Sequence, residues 1–212
     1  RELGIPSRRI TPIRELIEAG PAARIGRTPH RIDREAVARI LTGKRVLITG
    51  AGGSIGGELC RIAAGFNPAS IVLMERSENA LFDVDRRLDR RFPGLNRRAV
   101  LHDITDTEAT LRQFVALKPQ VIFHAAAHKH VPLMEDHPAH AVTNNLFGTR
   151  SVADAAFAVG AERFVMISSD KAVNPTSVMG ATKRMAEMYV QSLAESSSNS
   201  RTTFSMVRFG NV

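Results

Sequence analysis

The pattern of apolar and polar positions changes character at Lys44. From Arg45 onward, short runs of aliphatic and β-branched residues alternate with longer stretches whose apolar positions recur at helical spacing. Six runs read as strands: Arg45–Thr49, Ser70–Glu75, Ala99–Leu101, Gln120–His124, Arg163–Ser168 and Thr203–Arg208. Helices are predicted between them. The first covers Ser54–Ala64. The second is charged, capped by Ser77, and ends near Phe92 before the breaker Pro93-Gly94. A capping box, Thr105-Asp106-Thr107-Glu108, opens a third. A long helix is expected from Pro138 to about Val159, and another from Thr176 to about Glu195, followed by a Ser/Asn loop at 196–200.

Strands that alternate with helices pair in parallel, because a crossover helix returns the chain in the same direction. Unbroken apolar runs such as Val46-Leu47-Ile48 fit a sheet covered on both faces. The expected fold is therefore α/β, a doubly wound parallel sheet, with ligands bound outside the carboxyl ends of the strands. Residues 1–43 read differently. A short helix opens at Thr11-Pro12 and stops at Gly20-Pro21, an irregular stretch follows, and a second short helix runs from Asp33 to about Leu41. This segment is expected to be a linker or the tail of a preceding module, with the sheet domain spanning 44–212.

The composition is that of a globular chain: 212 residues, 43% hydrophobic and 24% charged. No apolar run approaches the roughly 18–20 residues of a membrane span. Cys60 is the single cysteine, which excludes an internal disulfide and fits a reducing cytoplasm. The net charge is +8, with much of the excess before residue 46. One tyrosine and no tryptophan argue against a base-stacking surface, so a phosphate-bearing small molecule is the expected partner rather than a nucleic acid.

The chemistry concentrates where the strands end. Thr49-Gly50-Ala51-Gly52-Gly53-Ser54-Ile55-Gly56 follows a strand and opens a helix. Gly50 permits the tight turn, Gly53 lets the backbone approach a pyrophosphate, and Gly56 lets the helix pack on the sheet; the helix N-terminus and Ser54 supply donors. Glu75 ends the second strand, where an acid accepts hydrogen bonds from an adenosine ribose, while Arg76 and Ser77 suit a 2′-phosphate. NAD or NADP is implied, with NAD favoured slightly. Five histidines, His124, His128, His130, His137 and His140, are irregularly spaced with no cysteine among them, so no metal site is expected.

The spacing of that loop resembles the extended short-chain dehydrogenase/reductases. Three longer segments, Gly50–Gly56, His124–Glu135 and Ser169–Lys183, resemble the polysaccharide-biosynthesis branch, which includes UDP-N-acetylglucosamine 4,6-dehydratases. The resemblance implies a Rossmann fold that contacts adenine through Asp103 and Ile104 and passes Ala125 and Ala126 beside the cofactor. Among the histidine-rich residues, His128 and Lys129 are candidates to face substrate. The resemblance also implies a UDP-sugar substrate, a homo-oligomer, and, in larger members, a membrane anchor at the cytoplasmic face. In most of the superfamily a Tyr and a Lys stand four residues apart on one helix face. Lys183 is present here, but Met179 occupies the Tyr position, and a thioether cannot exchange a proton. A subgroup of the dehydratases shares that Met and uses an Asp-Lys pair as acid and base, which points to Asp170 and Lys171 beside Ser169. Asp170 as an acid needs a raised pKa. The alternatives are a sugar 4-epimerase or a non-catalytic dinucleotide-binding module. The resembled enzymes carry their substrate-binding part beyond the sixth strand, so residues 1–212 are expected to bind cofactor without dehydrating sugar by themselves.

Overall fold

The computed structural model describes residues 33–196 and 201–210. Two compact units divide the chain, Arg1–Glu35 and Ala36–Val212, and the sheet lies in the second. The helix expected at 11–20 and most of the loop at 196–200 fall outside the described residues. Helix α1 (Arg34–Leu41) carries apolar Val37, Ala38 and Leu41 at helical spacing and packs them into the sheet domain, ahead of the expected start at Lys44.

The elements then follow in the order β1 (Arg45–Thr49), α2 (Ser54–Ala64), β2 (Ser70–Glu75), α3 (Glu78–Arg91), β3 (Arg97–Leu101), α4 (Thr107–Leu117) and β4 (Val121–His124). Next come α5 (Val131–Asp136), α6 (Pro138–Ala141), a π-helical turn (Val142–Phe147), α7 (Gly148–Ala158), β5 (Arg163–Ser169), a 3₁₀ turn (Asp170–Ala172), α8 (Val178–Ser196) and β6 (Thr203–Phe209). The six strands form one parallel sheet in the order β3-β2-β1-β4-β5-β6. The order reverses between β1 and β4, so the crevice for a ligand opens there.

Both faces of the central strands are covered. Successive side chains of a strand point to opposite faces. Val46, Ile48, Ile71 and Leu73 pack with Cys60 and Ala63 of α2 and with Leu81, Val84 and Leu88 of α3. Leu47, Met74, Ile122, Phe164 and Met166 pack with Phe114 of α4, Val152 and Ala156 of α7, and Val190 of α8. Each such fully buried side chain contributes about 1.5–3 kcal/mol relative to exposure. The edge strands β3 and β6 are largely exposed.

Two local expectations are corrected. The cap of α4 is Asp106, whose carboxylate accepts from Ala109 N at 2.9 Å. Thr105 is drawn away, because both its N–H and its hydroxyl donate to Asp103 Oδ1, each at 2.9 Å. The long helix after Pro138 is interrupted by the π-helical turn, which widens the coil at buried Asn144 and Asn145. Helix α5, ahead of it, was not expected at all.

Candidate functional site

The glycine loop is built by close approach. Gly50 has φ +66°, and a Cβ there would lie 2.7 Å from the Ala126 backbone. A Cβ at Gly56 would lie 1.9 Å from Gly50 O, so only glycine lets α2 start against the turn. Gly53, at the N-cap of α2, has no side-chain cap, and the first turn holds no acidic residue, so the positive end of the helix is open to an anion. At Gly53 the backbone is exposed, and at Gly52 it lies against Ala80, whose Cβ would be 2.5 Å from a Cβ at Gly52, so the loop is a cradle closed on one side. That shape fits a pyrophosphate.

Gly50, Gly52, Gly53, Glu75, Arg76, Ala125 and Ala126 line one cleft of about 290 Å³, joined by His102, Ile104, His128 and Asn144. Glu75 is committed to the loop: its carboxylate accepts from Gly52 N at 3.2 Å, Arg76 N at 2.9 Å and Ser77 N at 3.1 Å. Arg76 reaches over the cleft to His128 Nε2 at 3.1 Å and Asn144 Oδ1 at 3.4 Å. Three residues expected at the cofactor are placed as follows. The Asp103 carboxylate is turned to Thr105, and its neighbours His102 and Ile104 line the cleft. Ser54 is exposed on the α2–α3 side. Thr49 is fully buried, with its hydroxyl on His124 Nδ1 at 2.7 Å.

That last contact begins a directed chain. The Thr149 hydroxyl donates to Asn145 O at 2.6 Å, which commits its only proton. His124 Nε2, 2.9 Å from Thr149 Oγ1, therefore carries the ring proton, and Nδ1 accepts from Thr49. Burial, with the Lys183 charge nearby, pulls the His124 pKa down to about 3 and keeps the ring neutral. Asn145 then clamps the His128 backbone, accepting from its N–H at 2.8 Å and donating to its carbonyl at 3.0 Å, and also donates to Thr182 Oγ1 at 3.1 Å. The glycine loop, the segment after β4 and helix α8 are thus joined by one buried, satisfied network.

A second cleft of about 370 Å³ gathers Ile55, His128, Lys129, Ser169, Lys171, Met179 and Lys183. Lys183 is buried, donates from Nζ to Ile167 O at 2.7 Å, and has its pKa lowered by burial to about 8. Met179 is buried and packs with Met134 and Ala141. Asp170 and Lys171 are exposed and paired, with Nζ 3.2 Å from Oδ1. The expectation of a raised Asp170 pKa is overturned: hydrogen bonds from Lys171 and then Ser169 lower it. Behind this edge lies buried Glu187, which the sequence reading did not single out. It accepts from Ser168 Oγ at 2.7 Å, from Arg208 Nη2 at 2.7 Å and from Arg184 Nη1 at 3.3 Å. The one sequence signal was its place one helical turn after Lys183 on a face that is otherwise apolar, next to buried Ala186 and Val190.

The profile of the polysaccharide biosynthesis protein family matches residues 46–212. The chain belongs to this family. It is 47% identical over 189 residues to the capsular polysaccharide biosynthesis protein CapD of Staphylococcus aureus, a match covering 89% of this chain and 31% of that protein. It is 33% identical over 175 residues to an inverting UDP-N-acetylglucosamine 4,6-dehydratase of Campylobacter jejuni, covering 82% of this chain and 50% of the dehydratase. Among solved structures, Pen from Bacillus thuringiensis superposes with a TM-score of 0.76 at 35% identity, covering 82% of this chain and 54% of that one. The chain therefore spans half or less of the two curated relatives. His128, whose backbone Asn145 clamps, lines both clefts. Among the described residues no group of three or more His, Cys, Asp or Glu side chains is placed to hold a metal ion, and no helix is long and apolar enough to cross a membrane.

Proposed function

We propose that this chain is the dinucleotide-binding part of an NAD(P)-dependent nucleotide-sugar 4,6-dehydratase, acting on a UDP-N-acetylglucosamine-like substrate in surface polysaccharide biosynthesis. The observation that carries this reading is the second cleft: Lys183 and Lys171 line it together with Met179, which replaces an ionisable phenol by a thioether. The 33% identity to a 4,6-dehydratase supports it.

The glycine cradle, Glu75, Ile104, Ala125 and Ala126 would hold the adenosine and pyrophosphate of the cofactor, and Lys183 would hold its nicotinamide ribose. Glu75 favours NAD, since a 2′-phosphate would meet its carboxylate. Bound there, the cofactor would supply reversible hydride transfer, from C4 of the sugar and back to C6. The C4 hydroxyl proton leaves to solvent as the ketone forms. The ketone acidifies the C5 proton, which Lys171 takes; Asp170 gives a proton to the departing C6 hydroxyl and regains one from solvent, and Lys171, after exchange with solvent, returns a proton to C5 as C6 is reduced. These roles need a neutral lysine beside a protonated aspartate. Passing one proton along the Lys171 Nζ to Asp170 Oδ1 hydrogen bond produces that state. Open to water, hydrogen bonds from Lys171 and Ser169 hold the Asp170 carboxyl below its ordinary value; a bound sugar that excludes water would favour the neutral pair, because desolvation penalises charge. His128 and Lys129, at the same cleft, would face the sugar nucleotide.

The test is incubation of UDP-N-acetylglucosamine with a protein of the dehydratases' full length that carries this chain. A 4-keto-6-deoxy product, identified by NMR, is expected. Release of the C4 epimer instead would assign the chain to an epimerase.

A further inference from the structure

Gly52 and Gly53 also border a second groove, of about 700 Å³, which runs between α2 and α3 away from the β-strand ends. Its charge is one-sided: Arg61, Arg87, Arg90 and Arg91 line it against a single acid, Glu58. Helix α3 achieves this by sorting its charges. Asp85 and Asp89, one turn apart, are both engaged by Arg97 of β3 at 2.8 Å. Arg87 and Arg91, also one turn apart, share the face of Val84 and Leu88, which looks toward α2. Among the described residues, none of Arg87, Arg90 and Arg91 has a carboxylate within salt-bridge distance, whereas Arg61 is paired with Glu58. Across the groove, Gly57 leaves the α2 wall bare: a Cβ there would meet only Ala51 O at 3.5 Å and, at 4.0 Å, Arg87 Nη2 and Val84 Cγ2. Buried Val84 and Leu88 form an apolar floor.

The four arginines do not line the dinucleotide cleft, which this groove meets only at Gly52 and Gly53. Yet four guanidinium groups line the groove beside one carboxylate, Glu58, which is already paired with Arg61, so a bound anion would offset the excess positive charge. Guanidinium forks match phosphate oxygens two at a time. A volume of this size is that of a small-molecule site. We propose that the α2–α3 groove is a second anion site, separate from the dinucleotide cleft. It takes a phosphate or diphosphate group on the arginines and the attached apolar moiety on Val84 and Leu88. A free phosphorylated metabolite and a phospholipid headgroup share this chemistry.

The experiment saturates the chain with NAD, so that the glycine cradle is filled, and then applies two probes. Inorganic pyrophosphate is titrated by calorimetry. In parallel, the chain is sedimented with vesicles of phosphatidylglycerol in phosphatidylcholine, and with vesicles of phosphatidylcholine alone. Binding of pyrophosphate with one-to-one stoichiometry identifies a soluble ligand; sedimentation with the anionic vesicles alone identifies the lipid source. Either supports the site provided the double variant Arg87→Gln/Arg91→Gln weakens it at least about tenfold, the scale of a lost charge-assisted hydrogen bond. In the same variant NAD affinity should stay within about twofold, and Arg87→Lys/Arg91→Lys should retain intermediate binding, which separates lost charge from lost fold. Failure of both probes overturns the proposal. So does binding that persists unchanged in the Gln variant, because the anion would then sit on other basic residues, such as those before residue 46.

Discussion

Replacing Glu187 by Gln removes one charge from the buried junction of β5, β6 and α8 and little else. Glu187 is 1% exposed and accepts hydrogen bonds from Ser168, Arg184 and Arg208. Burial alone would push its carboxyl up, but the donors from Arg208, Ser168 and Arg184 outweigh it and lower the pKa from 4.5 to about 2. A carboxylate whose folded pKa is depressed stabilises the fold above its unfolded pKa and loses that stabilisation as the pH falls through the folded value. The shift converts to about 3 kcal/mol near neutral pH. Arg184 and Arg208 are partly exposed, and solvent screening brings the expectation to about 2–3 kcal/mol. Urea unfolding of the parent chain and of Glu187→Gln checks this. The difference between them should be about 2–3 kcal/mol at neutral pH and should shrink by about 1 kcal/mol near pH 3.5, because the parent begins to lose its advantage below 4.5. A difference below about 0.5 kcal/mol at neutral pH, the ordinary range for surface substitutions, would refute the reasoning. So would a difference that stays constant down to pH 3.5.

Other outcomes follow from the same geometry. Gly53→Val should weaken NAD binding at least about tenfold in calorimetry while leaving the far-ultraviolet circular dichroism unchanged, since its Cβ meets only Gly50 O, at 3.3 Å; equal affinity would show that the loop does not approach the pyrophosphate. In a full-length enzyme, Lys171→Ala and Asp170→Asn should each reduce turnover at least about 100-fold, whereas Met179→Leu should cost only a few-fold; near-parent rates in both of the first two would remove the acid–base assignment. Cys60 is buried, and burial raises its thiol pKa to about 12. The native chain should therefore resist a thiol reagent at pH 8 and release one equivalent after unfolding in urea; fast labelling of the folded chain would contradict the packing of α2.

The fold was legible because its signals are local. Val46-Leu47-Ile48 and Ile71-Val72-Leu73 announce buried strands, and Gly50 and Gly56 stand where the chain passes within contact of itself. What escaped depends on contacts distant in sequence. The resemblance of the segment 144–149 marks a structural Asn there, but what Asn145 holds, the His128 backbone 17 positions earlier, appears only in the fold. Glu187 looks like a surface charge until Arg208, 21 positions later, is brought over it by β6. Thr105 and Asp106 are adjacent candidate caps, and only the fold, which ties Thr105 to Asp103, leaves the cap to Asp106. For Asp170 the place after a strand end was legible and the direction of its pKa was not, because a pKa depends on solvent access and on which side chains turn toward it.

The central claim is that hydride leaves C4 and returns to C6 of the same sugar while a proton is exchanged at C5. UDP-N-acetylglucosamine deuterated at C4 tests it most directly, turned over in ordinary water by a full-length protein carrying this chain, with the product read by NMR. The account predicts a 4-keto-6-deoxy sugar whose C6 methyl holds one deuterium and whose C5 carries a proton from solvent; in heavy water with unlabelled substrate, C5 would take deuterium instead. Deuterium that stays at C4, in a product inverted there with its C6 hydroxyl intact, would contradict it.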